Sequence, residues 1–181
     1  MNPLTKILAL RESGLVQRAH TVPYLGTYNI AIHCYNVVGL ILLLHVKEPP
    51  SINLIKAALL HDLSERFTGD TPSPVKWWSQ PIKNELDKLE MKVLARLGLD
   101  QCFNDLTEEE TQWLNGADLL ELWLWVQDQL QMGNKILKDM DKKILDAFAS
   151  RIDKIPKEIQ DFITNFKWQR LPELDELLED K

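Results

Sequence analysis

Turn-forming residues are scarce in this chain of 181 residues, which contains only 7 Gly and 9 Pro. All-β domains need many such residues, because each short strand ends in a turn. Between the turn signals, apolar residues recur at helical spacing, as at Ile30, Val37, Ile41 and Leu44. The sequence therefore predicts an all-α fold in which helices are joined by short connections.

Capping residues mark the ends of the next helices. Ser51 or Asn53 can cap a helix that continues to about residue 67. Pro81 suits the first turn of a further helix, and Gly98 suits its end. We therefore expect helical boundaries close to these residues.

Thr107 and Glu110 have the spacing of a capping box, which predicts a long helix that reaches toward Gly133. The segment 68–78 contains several prolines, so we expect a loop or extended chain there. Two more helices are predicted at about residues 135–152 and 156–166.

Composition and charge exclude two classes of partner. Hydrophobic residues make up 45% and charged residues 27% of the chain, as in ordinary globular domains. The 27 acidic residues outnumber the 21 basic ones, so the chain lacks the basic field that binds nucleic acid nonspecifically. Its longest apolar stretch, at 37–44, is far shorter than the roughly 20 residues of a membrane span. We expect no nucleic-acid partner and no membrane.

The cysteines favour a reducing compartment. Cys34 and Cys102 show neither a CxxC spacing nor a third thiol, so they predict no zinc finger and no disulfide framework. The first 15 residues include Lys6 and Arg11, so they lack the apolar core of a signal peptide. We therefore expect a cytoplasmic protein, or one of the host cytoplasm if a phage encodes it.

The most informative segment is ALLHDLSERFTGDTPSPVK, at residues 58–76. His61 and Asp62 are adjacent there, and on a helix Glu65 would lie beside both of them. Apolar residues precede this group, so it should enter a half-buried region, where charge is costly unless it is paired or bound to a metal. The pair offers one nitrogen and one oxygen ligand from a single turn.

Two further residues could complete such a site. His33 lies on the apolar helix at 29–44, and Asp118 lies among leucines in the long helix. With His61 and Asp62 they offer two imidazoles and two carboxylates, which suits Mn, Co, Fe, Ni or Zn better than Mg. Each residue alone also has an ordinary explanation as a core histidine or a surface carboxylate. Taken jointly and in this order, they predict a metal site.

The order His33, His61-Asp62 and Asp118 resembles the H…HD…D signature of the HD-domain phosphohydrolases. The run HDLSERFTGDTPSPVK is similar almost letter for letter to HDxSExxTGDxPxPVK, which is typical of the YfbR-like branch of bacterial 5′-deoxynucleotidases. That branch also has an Arg about fifteen residues before the first His, where this chain has Arg18. The resemblance implies a metal-dependent phosphohydrolase of 2′-deoxynucleotides.

For the fold, the resemblance implies an HD-domain helical bundle around a metal site. It extends over about residues 11–130, so we expect one domain over 1–181, with that core and C-terminal helices at about 135–178. The implied cofactor is a divalent transition metal (Co, Mn or Zn) held by the four signature residues, and additional divalent ions could bind with the substrate phosphates. Glu65 would handle a proton of the attacking water or of the leaving 5′-oxygen. Asp70 would orient the sugar or a water, or would simply cap the TGD turn.

For the substrate, the resemblance implies that Arg18 and Lys76 contact phosphate oxygens. Ala19 and His20 would lie beside the sugar and the base. Bacterial members usually have Trp directly after the Arg and an acidic residue before the first His, whereas this chain has Ala19 and Ile32 at those places.

The same branch includes phage enzymes of the DatZ type, which remove triphosphate from dATP. Because the chain is compact and departs from the bacterial pattern, the sequence favours dATP triphosphohydrolase, which yields deoxyadenosine and triphosphate. The alternative is a 5′-deoxynucleotidase that hydrolyses dNMPs to deoxynucleoside and phosphate. A second alternative is a catalytically silent nucleotide-binding HD module. An HD protein that acts on cyclic dinucleotides or alarmones is disfavoured by the TGDTPSPVK run.

Relatives of this branch form dimers or hexamers, so a homo-oligomer is expected. Trp123 and Trp125 lie two residues apart on the long helix, and we expect one of them to mark a subunit interface. Trp77 and Trp78 would pack against the long helix or stack on a base. Lys83 would be solvated or would reach a longer phosphate tail.

Overall fold

A computed structural model describes residues 2–169 and 171–173, apart from the side chains of Ser73 and Trp77. Within these residues the chain is helical, and its only β-type pairing is a single antiparallel bridge between Gln17 and Asn29. The helices are α1 (Pro3–Ser13), α2 (Ile30–Leu44), α3 (Ile52–Leu60), α4 (Glu65–Thr68), α5 (Ser73–Trp78), α6 (Gln80–Leu97), α7 (Gln101–Asn104), α8 (Glu108–Gln131), α9 (Lys138–Ala149) and α10 (Lys157–Asn165). The all-α prediction is confirmed.

The predicted caps form as hydrogen bonds. Ser51, rather than Asn53, caps α3 by accepting a hydrogen bond from the backbone of Leu54. The Thr107–Glu110 capping box is complete at the start of α8. These side chains satisfy N–H groups that have no partner within the first turn of a helix. They fix where two of the three helices that surround the candidate site begin.

Two local predictions were wrong. The segment predicted as loop contains α5, because Pro74 lies in its first turn, where a missing N–H is tolerated. His61 and Glu65 do not share one helix, because α3 ends at Leu60 and α4 begins at Glu65. The intervening turn is tighter than an α-helix: the backbone N–H of Glu65 bonds to the carbonyl of Asp62, three residues earlier. The HD pair therefore lies at a break between two helices.

The core lies where α2, α3 and α8 meet. Val37 and Ile41 of α2, Leu54 of α3 and Leu120 of α8 are fully buried there. Burial of each such side chain stabilises the fold by about 1.5–3 kcal/mol. The helices α2 and α8, which carry His33 and Asp118, and the helix α3, which ends just before His61, are therefore packed directly on one another.

The C-terminal helices cover the other side of α8. Trp123 donates a hydrogen bond to Asp141 of α9 and contacts Phe166, and Trp125 stacks on Tyr28 of the segment that precedes α2. Both tryptophans are buried, at 5% and 9% exposure. The prediction that one of them marks a subunit interface was wrong, because α8 is covered on two sides.

Trp78 and Lys83 lie away from the core. Trp78 is 92% exposed and does not pack against the long helix as predicted. The side chain of Trp77 and the tail at 174–181 are outside the described residues. Lys83 pairs with Asp87 on α6. None of the helices in the described ranges is long and apolar enough to cross a membrane.

Candidate metal centre and substrate pocket

The structure brings the four signature residues together around one point. Nε2 of His33 lies 3.0 Å from Oδ1 of Asp118 and 3.1 Å from Nε2 of His61. Oδ2 of Asp62 lies 3.5 Å from Nε2 of His33 and 3.4 Å from Nε2 of His61. Atoms from α2, from the α3–α4 break and from α8 therefore converge, although they are far apart in sequence.

Both imidazoles are oriented so that Nε2 faces this point. Nδ1 of His61 lies 2.8 Å from the carbonyl oxygen of Ala58, and Nδ1 of His33 lies 2.5 Å from Oε2 of Glu121. Each Nδ1 can donate its proton to those oxygens, which leaves a lone pair on Nε2. This is the arrangement in which histidines bind metal ions. His33, His61 and Asp118 can place their ligand atoms close enough together to hold one ion.

Glu121 is a buried carboxylate that the sequence analysis missed. Besides its contact with His33, it accepts hydrogen bonds from Tyr28 at 2.5 Å and from Asn36 at 3.1 Å. It is only 3% exposed. The available signal was an acidic residue within the apolar run LLELWLW, one helical turn after Asp118. Glu121 fixes the ring of His33 in the orientation just described.

The histidines bind protons more strongly than free imidazoles. Burial lowers the pKa of His33, but hydrogen bonds to Asp118 and Glu121 outweigh it and raise the pKa to about 9. Burial also lowers the pKa of His61, but the negative charge of Asp62 outweighs this effect and raises the pKa to about 9. Both rings therefore carry a second proton at neutral pH and are imidazolium ions, and the Nε2 lone pairs become available only when a metal cation displaces that proton.

The aspartates show the opposite shift. Burial raises the pKa of Asp62, but the charges of His61 and Arg18 outweigh it and lower the pKa below its usual value. The hydrogen bond from His33 likewise holds the pKa of Asp118 well below its usual value, against the effect of burial. Two ionised carboxylates beside two imidazoles are a donor set that fits a divalent transition metal.

Glu65 lies beside this cluster with an incompletely paired carboxyl group. It is 3% exposed, and its Oε2 has no hydrogen-bond partner in the described part of the chain. Nζ of Lys76 lies 3.9 Å from the other oxygen, Oε1. Burial and the charge of Asp62 nevertheless raise the pKa of Glu65 to about 9. The carboxyl group is therefore protonated at neutral pH and can donate that proton.

Arg18 links the cluster to the neighbouring loop. Its guanidinium contacts Asp62, lies 4.0 Å from Oδ1 of Asp118 and stands 5.7 Å from the centre of the Tyr28 ring. A backbone hydrogen bond of 3.0 Å, from the N–H of Arg18 to the carbonyl of Tyr28, fixes its position. Nε is buried without a hydrogen-bond partner among the described residues. The side chain thus adds positive charge next to the carboxylates.

Asp70 is placed against the residues that follow Arg18. Its Oδ2 accepts a hydrogen bond of 3.2 Å from the backbone of Ala19 and lies 3.6 Å from Nδ1 of His20. Ala19 has φ +52°, a left-handed conformation that costs a non-glycine residue about 1–2 kcal/mol. The TGD turn and the 18–20 segment therefore form one connected wall.

Gln129 holds the loop between α1 and α2 and was also missed by the sequence analysis. Its side-chain amide accepts a hydrogen bond from the N–H of Leu25 at 2.8 Å and donates one to the carbonyl of Leu25 at 2.9 Å. Asn134 adds a hydrogen bond of 3.0 Å to the carbonyl of Pro23. Gln129 itself is buried, at 2% exposure. Its hydrogen bonds attach the loop that carries Arg18 to the C-terminal end of α8.

A cavity of about 230 Å³ opens next to Arg18. Drug-sized ligands usually occupy 300–1,000 Å³, so this volume suits a smaller ligand or one part of a substrate. Its walls come from the 18–22 segment, the 70–74 segment, α8 and the start of α9. They are formed by Arg18, Ala19, Thr21, Val22, Tyr28, Asp70, Pro72, Pro74, Leu122, Ile136, Leu137, Asp139, Met140 and Lys143.

The structure places four of the predicted site residues in one group, the His–Asp cluster, and four more beside it. The cluster contains His33, His61, Asp62 and Asp118, and the neighbours are Arg18, Glu65, Lys76 and Asp70. Ala19 lines the cavity, whereas His20 contacts Asp70 but does not line the cavity.

The family model described as 5′-deoxynucleotidase YfbR-like matches residues 8–169. The chain belongs to this family. Family membership confirms the resemblance drawn from the sequence, and it identifies the chain as a metal-dependent phosphohydrolase of the HD type.

Proteins named 5′-deoxynucleotidase align with this chain over most of their length. A 5′-deoxynucleotidase of Vibrio atlanticus is 29% identical, and the alignment covers 93% of this chain and 95% of that protein. A 5′-deoxynucleotidase of Photorhabdus temperata is 28% identical, with 87% and 88% covered. These names agree with the monophosphatase alternative rather than with the favoured dATP triphosphohydrolase, which is not confirmed.

Solved structures of HD phosphohydrolases share the fold. An HD-domain phosphohydrolase of Listeria innocua superposes with a TM-score of 0.73 at 19% identity, over 92% of this chain and 88% of that one. DatZ of cyanophage S-2L, solved with dA and one catalytic Zn²⁺, gives a TM-score of 0.68 at 20% identity, over 87% and 91%. At these identities the likeness supports the HD-domain bundle.

Proposed function

We propose that this protein is a 5′-deoxynucleotidase that hydrolyses 2′-deoxynucleoside 5′-monophosphates to a deoxynucleoside and phosphate. The observation that carries the proposal is the His–Asp cluster next to a small cavity, with Arg18 between the two. The names of the relatives support the same substrate class.

In this proposal His33, His61, Asp62 and Asp118 hold a Zn²⁺, Co²⁺ or Mn²⁺ ion. The donor set fits such an ion, because it combines two correctly oriented imidazoles with two ionised carboxylates. A divalent ion supplies a hydroxide nucleophile near neutral pH by lowering the pKa of water. Glu121 keeps His33 in position through the hydrogen bond to Nδ1.

Glu65 acts as the proton donor to the leaving 5′-oxygen. Its raised pKa keeps a proton on the carboxyl group at neutral pH, and its unpaired Oε2 leaves that group free to meet a substrate atom. Lys76, close to Oε1 of Glu65, supplies positive charge on the same side. Additional divalent ions would join only with substrate phosphates.

Arg18 binds the phosphate, and the connected wall behind it holds the sugar. A guanidinium can offer two parallel N–H donors to phosphate oxygens, so Arg18 can bridge Asp62 and the substrate. Asp70, fixed by Ala19 and close to His20, lines the cavity next to Arg18 and is placed to accept a hydrogen bond from a sugar hydroxyl.

A dATP triphosphohydrolase is the second candidate, because the chain shares the HD fold with DatZ. A triphosphate tail needs more positive charge than a monophosphate. Lys83, a candidate for the tail, is engaged with Asp87 on α6. We therefore rank the monophosphate substrate first.

A product assay tests the proposal. The purified protein is incubated with Zn²⁺, Co²⁺ or Mn²⁺ and with each dNMP and each dNTP, and the products are separated by ion-pair chromatography. Deoxynucleoside and phosphate from dNMPs are expected, with loss of turnover in His61→Ala. Deoxyadenosine and triphosphate from dATP alone would establish the second candidate. Turnover of no nucleotide would leave a silent binding module.

We also propose that the chain works as one HD domain within a cytoplasmic homo-oligomer. The C-terminal helices share the main core with α2 and α8, which supports a single unit. Tyr35 and Leu43 on α2 are each 76% exposed, and such an apolar surface favours association. Light scattering at micromolar concentration should give a dimer or hexamer mass, and a monomer mass would refute the oligomer.

A further inference from the structure

One wall of the cavity beside Arg18 is built by α9, which contributes nothing to the His–Asp cluster. Asp139, Met140 and Lys143 line the cavity from this helix, whereas Arg18 and Tyr28 connect the cavity to the cluster. A nucleotide whose phosphate lies at Arg18 would therefore place its sugar or base against α9.

Asp139 and Lys143 are four residues apart, so they project from the same face of α9. An acidic residue that precedes a lysine by four positions is the favourable order for an ion pair on a helix. Within the described ranges, however, neither side chain takes part in an ion pair or hydrogen bond. By contrast, Lys83 and Asp87 form an ion pair on α6, and Lys157 and Asp161 form one on α10. The α9 pair thus leaves a carboxylate and an ammonium group available at the cavity.

The remaining cavity surface on this side is apolar. Val22, Leu122, Leu137 and Met140 provide it, and such side chains suit the flat faces of a base rather than its polar edge. A base lying among them would turn its hydrogen-bonding edge toward polar groups. Asp139 and Lys143 are polar groups of the α9 wall that can meet that edge.

The chemistry of the pair matches guanine best. The Watson–Crick edge of guanine carries two adjacent donors, N1–H and N2–H, and the acceptor O6. A carboxylate can accept from two neighbouring donors at once, and an ammonium group donates to O6. Adenine, cytosine and thymine each present a single nitrogen donor centre on this edge, so they would engage the carboxylate less completely. Guanine is the base that satisfies both side chains.

We infer that Asp139 and Lys143 read the base edge and make guanine deoxynucleotides the preferred substrates. This inference rests on the proposed 5′-deoxynucleotidase function. Because both side chains are exposed to water, the preference should be moderate, about tenfold in kcat/KM for dGMP over dIMP. dIMP is the informative competitor, because hypoxanthine keeps N1–H and O6 and lacks only the 2-amino group.

The test measures kcat/KM for dGMP, dIMP, dAMP, dCMP and dTMP with the metal-loaded full chain. In Asp139→Asn the ratio of dGMP to dIMP should fall from about ten to about one, because one carboxylate acceptor is lost. In Lys143→Met both substrates should be hydrolysed more slowly while their ratio is retained, because both contain O6. Lys142→Met and Asp153→Asn are matched controls, since these residues are exposed and do not line the cavity.

A wild-type ratio near one, or a ratio that survives in Asp139→Asn, overturns the inference and leaves the proposed function standing. Failure of the proposed function looks different, because no dNMP is then hydrolysed with any metal. In that case calorimetric titration of the metal-loaded protein with deoxyguanosine and deoxyinosine still decides the question. Tighter binding of deoxyguanosine in wild type but not in Asp139→Asn supports the inference, and equal binding of the two nucleosides to wild type refutes it.

Discussion

Nδ1 of His33 lies 2.5 Å from Oε2 of Glu121, a buried carboxylate that follows Asp118 by three residues on α8. One helix thus supplies both a candidate metal ligand and the group that orients a second one. Carboxylate–histidine pairs of this kind raise the basicity of the ring and fix its tautomer. The metal affinity of the cluster therefore depends on a residue that does not itself face the metal position.

Replacement of Glu121 by Gln should weaken Zn²⁺ binding about 10- to 100-fold, because the amide holds the His33 ring less strongly than the carboxylate. Competition with a chromophoric chelator measures the affinity. Glu108→Gln, an exposed change at the start of the same helix, is the control. Equal affinity in wild type and Glu121→Gln would show that Glu121 serves only the packing of Tyr28.

Metal affinity should rise with pH between about 6 and 9. The pKa values of His33 and His61 are both about 9, so a metal must displace about two protons below that pH. Competition between metal and protons ends once the pH exceeds these pKa values, where the affinity should level off. Calorimetry in buffers of different ionisation enthalpy counts the released protons. Proton release near zero at pH 7 would contradict the prediction.

Replacement of Glu65 by Gln should lower kcat by about 10²- to 10⁴-fold while the bound metal is retained, because the amide cannot donate a proton as the carboxyl group does. In wild type the rate should fall as the pH rises through the pKa of Glu65, which burial raises above its usual value, because Glu65 then loses its proton. Metal content is measured by atomic emission in the same samples. Glu85→Gln on α6 is an exposed control. Loss of metal from Glu65→Gln would assign the residue to the metal site instead.

Arg18→Ala should lower kcat/KM about 10²-fold or more without weakening metal binding. The guanidinium contacts Asp62 and lies near Asp118. Its removal leaves the negative charge of these carboxylates uncompensated, so the cluster should bind a cation at least as tightly. Steady-state kinetics and chelator competition together test both statements. Arg11→Ala, an exposed change on α1, should alter neither quantity. Unchanged kinetics would remove Arg18 from the substrate site.

Gln129→Leu should lower the free energy of unfolding by about 1 kcal/mol, because two hydrogen bonds to the backbone of Leu25 are lost and water replaces them incompletely. The loop that carries Arg18 would be held less firmly, so KM should rise while metal affinity stays constant. Urea denaturation and kinetics measure the two effects. Gln131→Leu, exposed at the end of α8, is the control.

The sequence was most informative where chemistry follows from short-range spacing. His61 and Asp62 are neighbours, and His33 and Asp118 stand out as polar residues on apolar helices, so the cluster could be predicted. The contact of Glu121 with His33 joins residues 88 positions apart, and no local pattern specifies it. The role of α9 was missed for a related reason. Its sequence is that of an ordinary amphipathic helix, and only tertiary packing places Asp139 in a cavity wall.

One wall of the cavity comes from a helix that carries no residue of the cluster. α9 supplies one wall of the cavity, whereas His33, His61 and Asp118 lie on α2, at the α3–α4 break and on α8. A substitution on α9 can thus alter which nucleotide enters without disturbing the groups that cleave it. In evolutionary terms, selection can act on α9 alone, so a family with one hydrolytic centre can diversify its substrates by single exchanges on a helix that lies outside its signature motif.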